Sequence, residues 1–91
     1  MAEIKQAPGR FYVGSENDAD AEITFNEKGN SNYVIASTVV NDKLQGEGIG
    51  SQLVHRVVEH ARQQDKKIEP ACSFARKKFE DTPEYEDVWE K

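Results

Sequence analysis

Single-residue spacing separates Gly46, Gly48 and Gly50 in the segment Gln45-Gly46-Glu47-Gly48-Ile49-Gly50, and no other segment of the chain is as well suited to hold an anion. The segment lies between an apolar run, Tyr33 to Val40, and a long amphipathic stretch, Ser51 to Gln64. A strand thus feeds a glycine-rich turn that opens a helix. Glycine reaches backbone angles closed to other residues, so successive amide N–H groups can converge on one oxyanion. The first turn of the helix adds unpaired donors and the positive end of its dipole. The chemistry implied is phosphate binding, most naturally of a pyrophosphate, with no basic side chain required.

Two common nucleotide motifs fit poorly. A Walker loop needs Lys followed by Ser or Thr after the last glycine, and Ile49-Gly50-Ser51 has no lysine. A dinucleotide fingerprint spaces its glycines G-x-G-x-x-G near the start of a strand-helix-strand unit. Here the spacing is G-x-G-x-G, and antiparallel-looking strands come first.

Four further side chains could do chemistry. Cys72 is a lone thiol; as thiolate it would be a strong acyl acceptor, and N–H donors at Ser73 and Phe74 would favour that form. Its bland role is that of a small buried hydrophobe. Tyr85 could donate a proton to a leaving group or simply pack the tail. His55 and His60 stand five apart, which misses the i, i+4 spacing of helical metal ligands, so both read as helix-flank residues and no metal site is expected.

The elements that position these groups follow from periodicity. Phe11 and Val13, then Ala21, Ile23 and Phe25, alternate with polar neighbours around the turn chemistry of Asn17 to Asp20, predicting a hairpin. A second turn, Asn26 to Asn32, leads into Tyr33–Val40, apolar on both faces and therefore central. Leu53, Val54, Val57, Val58 and Ala61 make the sheet-facing stripe of a helix. Ile68 to Cys72 reads as a second central strand, irregular at Pro70 because proline cannot donate to a ladder. Ser73 is the expected cap of a short helix from Phe74 to about Glu80, stopped by Thr82-Pro83, after which Tyr85, Val88 and Trp89 dock the tail. The fold class is α/β (α+β): a mixed, mostly antiparallel sheet with a parallel pair flanking the long helix.

The segment Gln45 to Gly50 resembles the Q/R-x-x-G-x-G/A signature of the GNAT acetyltransferases. With Ser37-Thr38-Val39-Val40, Pro70-Ala71-Cys72-Ser73-Phe74 and Thr82-Pro83-Glu84-Tyr85, a little over half the chain resembles the short, YjdJ-like GNAT subfamily. The resemblance implies a GNAT-type fold over residues 1–91 as one acetyl-CoA-binding domain. It implies that amides across Gln45, Gly46, Glu47, Gly48, Ile49, Gly50 and Ser51 grip the pyrophosphate of acetyl-CoA. The main chain of Thr38, Val39 and Val40 would hold the pantetheine arm, and Cys72 would stand near the thioester carbonyl with Tyr85 as proton donor. The function implied is acetyl transfer to an unidentified amine or thiol acceptor. Where the subfamily commonly carries histidine, this chain has Ser37 and Thr82, so a base is missing. That favours, as a rival, an acyl-CoA sensor or carrier without turnover; the acidic tail with Trp89 offers a second, a protein-interaction module.

Composition bounds the partners. With 17 acidic against 12 basic residues the formal charge is −5, which disfavours nucleic acid and anionic membrane surfaces. No apolar run reaches the roughly 18 residues of a membrane span, and Met1 to Arg10 lacks a signal-peptide core. One cysteine forms no internal disulfide. A cytoplasmic monomer is the expectation.

Overall fold

The computed structural model describes residues 3–90. Five strands lie in chain order in one sheet: β1 (Lys5–Ala7), β2 (Arg10–Gly14), β3 (Ala19–Glu27), β4 (Tyr33–Val40) and β5 (Ile68–Pro70). Neighbours from β1 to β4 are antiparallel, whereas β4 and β5 are parallel. Helix α1 (Ile49–Gln63) makes the crossover between them. After β5 come α2 (Ser73–Asp81) and a 3₁₀ segment, Pro83–Val88.

The alternation seen in the sequence is the alternation of the pleat. Phe11, Val13, Ala21, Ile23 and Phe25 turn to one face and are buried, joined by Tyr33 and Ile35 of β4. The residues between them occupy the other face, where Arg10 meets Glu22 at 2.7 Å and Thr24 shares a 2.8 Å hydroxyl bond with Ser37. Helix α1 lies on the apolar face: Leu53, Val54, Val57, Val58 and Ala61 are each 0% exposed. Burial of a Val or Leu side chain is worth about 1.5–3 kcal/mol, so this stripe outweighs the helix's intrinsic preference.

The tail is fastened to α1. The Arg62 guanidinium holds Asp87 through bonds of 3.0 and 3.1 Å and donates at 2.6 Å to the Glu84 carbonyl. Tyr85 and Val88 are buried beneath this clamp. Glu90 N–H continues onto the outer edge of β5, donating to Ile68 O at 2.8 Å. Lys28 Nζ ties Glu69 and Glu90 together at 2.7 and 3.1 Å.

Six local expectations change. Strand β1 adds an edge that so short and polar a segment does not announce. Ala19 and Asp20, turn-like in composition, begin β3. Strand β5 ends at Pro70 instead of Cys72, and Cys72 rather than Ser73 caps α2, its Sγ accepting from Ala75 N–H at 3.5 Å. His60 is more than a helix-flank residue: it is half-buried, its ring stacked on Tyr33 at 5.5 Å and meeting Phe25 at 5.7 Å. Strict alternation along Tyr33–Val40 would put Val39 on the face of Tyr33 and Ile35, and the structure reverses this. Phe25 pairs with Ile35 and Thr24 with Ser37, which leaves Ala36 as the extra residue of a β-bulge. Beyond it the side chains switch faces, so Thr38 and Val40 lie on the helix side while Val39 is 62% exposed on the other.

Leu53→Ala should cost about 2–5 kcal/mol, read as a lower urea midpoint with unchanged slope. The clamp makes a second, pH-dependent prediction. Hydrogen bonding to Arg62 holds the Asp87 carboxyl below the usual carboxylate range. Its contribution is therefore complete above the ordinary aspartate value of about 4 and lost as pH falls through the lower folded value. Asp87→Asn should flatten the acid limb of a stability-versus-pH curve and leave its alkaline side unchanged.

Candidate functional site

Pairing between β4 and β5 covers only Tyr33 to Ile35, closing with Cys72 N–H on the Ile35 carbonyl at 3.2 Å. From Ala36 onward, β4 has no ladder partner on that side among the described residues. The bulge decides which groups face the opening. Asn41 N–H donates to Asp20 O at 2.8 Å, so residues 41 and 20 form a hydrogen-bonded pair. Antiparallel alternation then bonds Val39 to Glu22 and turns the main-chain groups of Thr38 and Val40 away from β3, into the gap.

The glycine loop closes the top of this gap. A 3₁₀ turn, Asp42–Leu44, is capped by Asn41, whose side chain accepts from Lys43 N–H. Gln45 Nε2 then reaches back to the Val40 carbonyl at 3.4 Å and to Asp42 at 3.3 Å. Gly46 and Gly48 take φ of 88° and 76°, as the loop requires, and Gly48 is the N-cap of α1. No side chain caps this helix end. The Gln52 N–H donates to the Gly48 carbonyl at 3.1 Å, so the amides of Ile49, Gly50 and Ser51 precede the helical ladder. Glu47 is exposed, and its amide is already bonded to Leu44 O.

Gly50 does something different. It is helical and fully buried, and a Cβ built on it would lie 2.7 Å from Phe74 Cζ. The missing side chain admits the Phe74 ring rather than an unusual backbone angle.

These parts enclose a cavity of about 310 Å³. Its walls are Thr38 and Val40 of β4, Leu44, loop residues Gln45, Gly46 and Gly48, the first turn Ile49 to Ser51 of α1, and Phe74 of α2. The residues expected to hold the coenzyme thus line one cavity, except Val39 and Glu47. Leu44 and Phe74 are additions. An aromatic residue, Phe74, at the start of an otherwise polar helix is the signal the sequence offers, and in the structure it is 39% exposed.

The chain belongs to the GCN5-related N-acetyltransferase family. The model of that family matches residues 10–88. A GCN5-like candidate N-acetyltransferase from Staphylococcus aureus, known from a solution structure, is 44% identical over 98% of this chain and 88% of its own, with a TM-score of 0.83. The crystal structure of a predicted acetyltransferase from Clostridium acetobutylicum with acetyl-CoA superposes with a TM-score of 0.56 at 18% identity. It covers 79% of this chain and 54% of its own, a likeness of fold. No curated protein matches the chain. The family's mixed sheet and long helix after the loop are those described here.

The two reactive candidates stand apart from the cavity wall. Cys72 is half-buried at the start of α2, where its thiol donates to Thr38 Oγ1 at 3.5 Å across the gap. Tyr85 lines a neighbouring cavity of about 370 Å³ with Ile4, Ser51, Gln52, His55 and Arg56. Ser51 is common to both cavities. Burial pushes the Tyr85 hydroxyl above its ordinary value, against the pull of Arg62, so it is protonated at neutral pH.

Gly50→Ala should force Phe74 aside and destabilise by about 1–3 kcal/mol, as overpacking does. Adding Phe74→Ala should relieve most of that cost in a double-mutant cycle. Gly48→Ala meets open space and should cost only the left-handed backbone, about 1–2 kcal/mol, with no coupling to residue 74.

Proposed function

We propose that this GCN5-related chain binds acetyl-CoA and transfers its acetyl group to an amine or thiol acceptor. The observation that carries the reading is one cavity uniting gap-facing main chain at Thr38 and Val40 with the uncapped start of α1. Pyrophosphate oxygens would accept from the amides of Gly46 and of Gly48 to Ser51, where dipole and unpaired donors coincide. The pantetheine arm would take the place of the absent strand partner beside β4. Of the three residues there, Thr38 and Val40 would make the contacts, since Val39 serves the β3 ladder.

The arm leads toward Cys72, which Thr38 and Ala75 hold at Sγ. In the proposed transfer a deprotonated Cys72 sulfur bonds to the acetyl carbon. The carbon–sulfur bond to the coenzyme breaks, its electron pair stays with the departing sulfur, and Tyr85 supplies the proton. A neutral amine or thiolate acceptor then bonds to the acetyl carbon, the bond to Cys72 breaks with its electron pair returning to the sulfur, and an amine's surplus proton passes to that sulfur. Holding nucleophile and thioester together is the main source of acceleration.

A second reading, an acyl-CoA sensor without turnover, is favoured by one observation: no residue lining the 310 Å³ cavity carries an acid or base side chain. One experiment separates the two. Acetyl-CoA added to labelled protein should move the amide signals of Gly46 and Gly48 to Ser51, and intact mass should then show one acetyl group that Cys72→Ser abolishes. Tight binding without acetylation favours the sensor. Movement confined to other segments overturns both.

A further inference from the structure

We propose that His55 is a positioning residue for the Tyr85 hydroxyl, donating to it from Nδ1 so that the Tyr85 proton is free for the reacting thioester. The inference rests on the acetyl-transfer reading above and deepens it. His55 Nδ1 lies 3.2 Å from Tyr85 Oη, and both line the cavity that meets the coenzyme cavity at Ser51. His55 itself is exposed. The rest of the mount is rigid: Phe79 packs on the Tyr85 ring at 5.3 Å, and Arg62, two turns beyond His55 on α1, clamps the segment that carries it.

A hydroxyl and a ring nitrogen at this distance share one hydrogen, and its owner decides the chemistry. If Nδ1 is bare, Tyr85 spends its proton on His55 and presents only lone pairs elsewhere. If Nδ1 carries hydrogen, the imidazole donates to Oη, the hydroxyl proton points away from His55, and the phenolate left after transfer keeps an N–H donor. Only the second arrangement suits a proton donor. Solvent entering the cavity that Tyr85 lines then returns a proton to the phenolate directly, and His55 keeps its Nδ1 hydrogen. The balance is simple: Tyr85 loses a proton to the coenzyme sulfur, and solvent returns one. The charged groups acting on the hydroxyl are Arg62, Glu59 and Glu84, with Arg62 opposing the two carboxylates.

Long-range proton–nitrogen spectra of the free protein should show His55 protonated at Nδ1 when neutral, the less common form in solution. In parallel, the rate at which saturating acetyl-CoA acetylates Cys72 should fall about 100-fold in Tyr85→Phe, within the usual range for a lost general acid. His55→Leu should lose about 10-fold in that rate, with little change in the acetyl-CoA concentration giving half-maximal rate. His55→Asn, whose amide can donate from the same place, should recover most of it at equal melting temperature. A bare Nδ1, or equal rates for wild type and His55→Leu while Tyr85→Phe is slow, overturns the proposal alone. Full speed in Tyr85→Phe, or no acetylation of the wild type, overturns the donor or transfer reading and this proposal with it.

Discussion

Everything in the cavity depends on a ladder that stops. The pairing of β5 with β4 ends at Pro70. A longer β5 would satisfy the edge of β4 and seal the sheet. Instead the chain turns out at Ala71, whose N–H bonds back to the Glu69 carbonyl at 3.0 Å, and the next amide makes the final bond to Ile35. Past that bond, β4 presents main chain in need of partners, beside a cavity that can admit them.

The bulge at Ala36 complements that termination. Without the extra residue, the main chain of Ser37 and Val39 would face the gap; with it, that of Thr38 and Val40 does. The same half-turn brings the Thr38 hydroxyl to the helix side, within reach of Cys72, and turns Val39 out to solvent. One inserted residue therefore selects both the backbone groups and the side chain that the gap presents. Helix α1 supplies the remaining order. Its buried stripe fixes it to the sheet, its first turn closes the cavity, and its His55–Arg62 flank holds the C-terminal segment.

Features written in local spacing are legible from the sequence. The two-residue period of Phe11 to Val13 and Ala21 to Phe25, the stripe of α1 and the glycine loop each lie within one window, so periodicity suffices. Features that depend on distant partners are not legible. His55 and Tyr85 are 30 residues apart, and neither says in sequence that it faces the other. Ala36 looks like any strand residue; only the pairing with β3 reveals it as surplus. Gly50 shares a motif with Gly46 and Gly48 and reads as sharing their freedom, yet it is helical and serves Phe74, 24 positions on. His60 reads as a flank residue because its aromatic partners come from β2, β3 and β4.

In the proposed reading the cavity is one through which an acidic chain would offer a site to a polyanion. None of its walls carries a basic side chain, and nearby Lys43 is engaged by Asp20 at 3.1 Å while Lys78 lies over the Phe74 ring at 5.6 Å. Attraction must then come from oriented amides, whose dipolar field falls off faster with distance than that of a lysine. Such a site steers little from afar and discriminates at contact, where the loop's shape places each N–H. That shape rests on the left-handed backbone of Gly46 and Gly48 and on the Gln45 tie to Val40. In that reading net charge is a poor guide to what the loop would hold: the formal −5 would govern encounter, while the geometry of a few amides would govern capture.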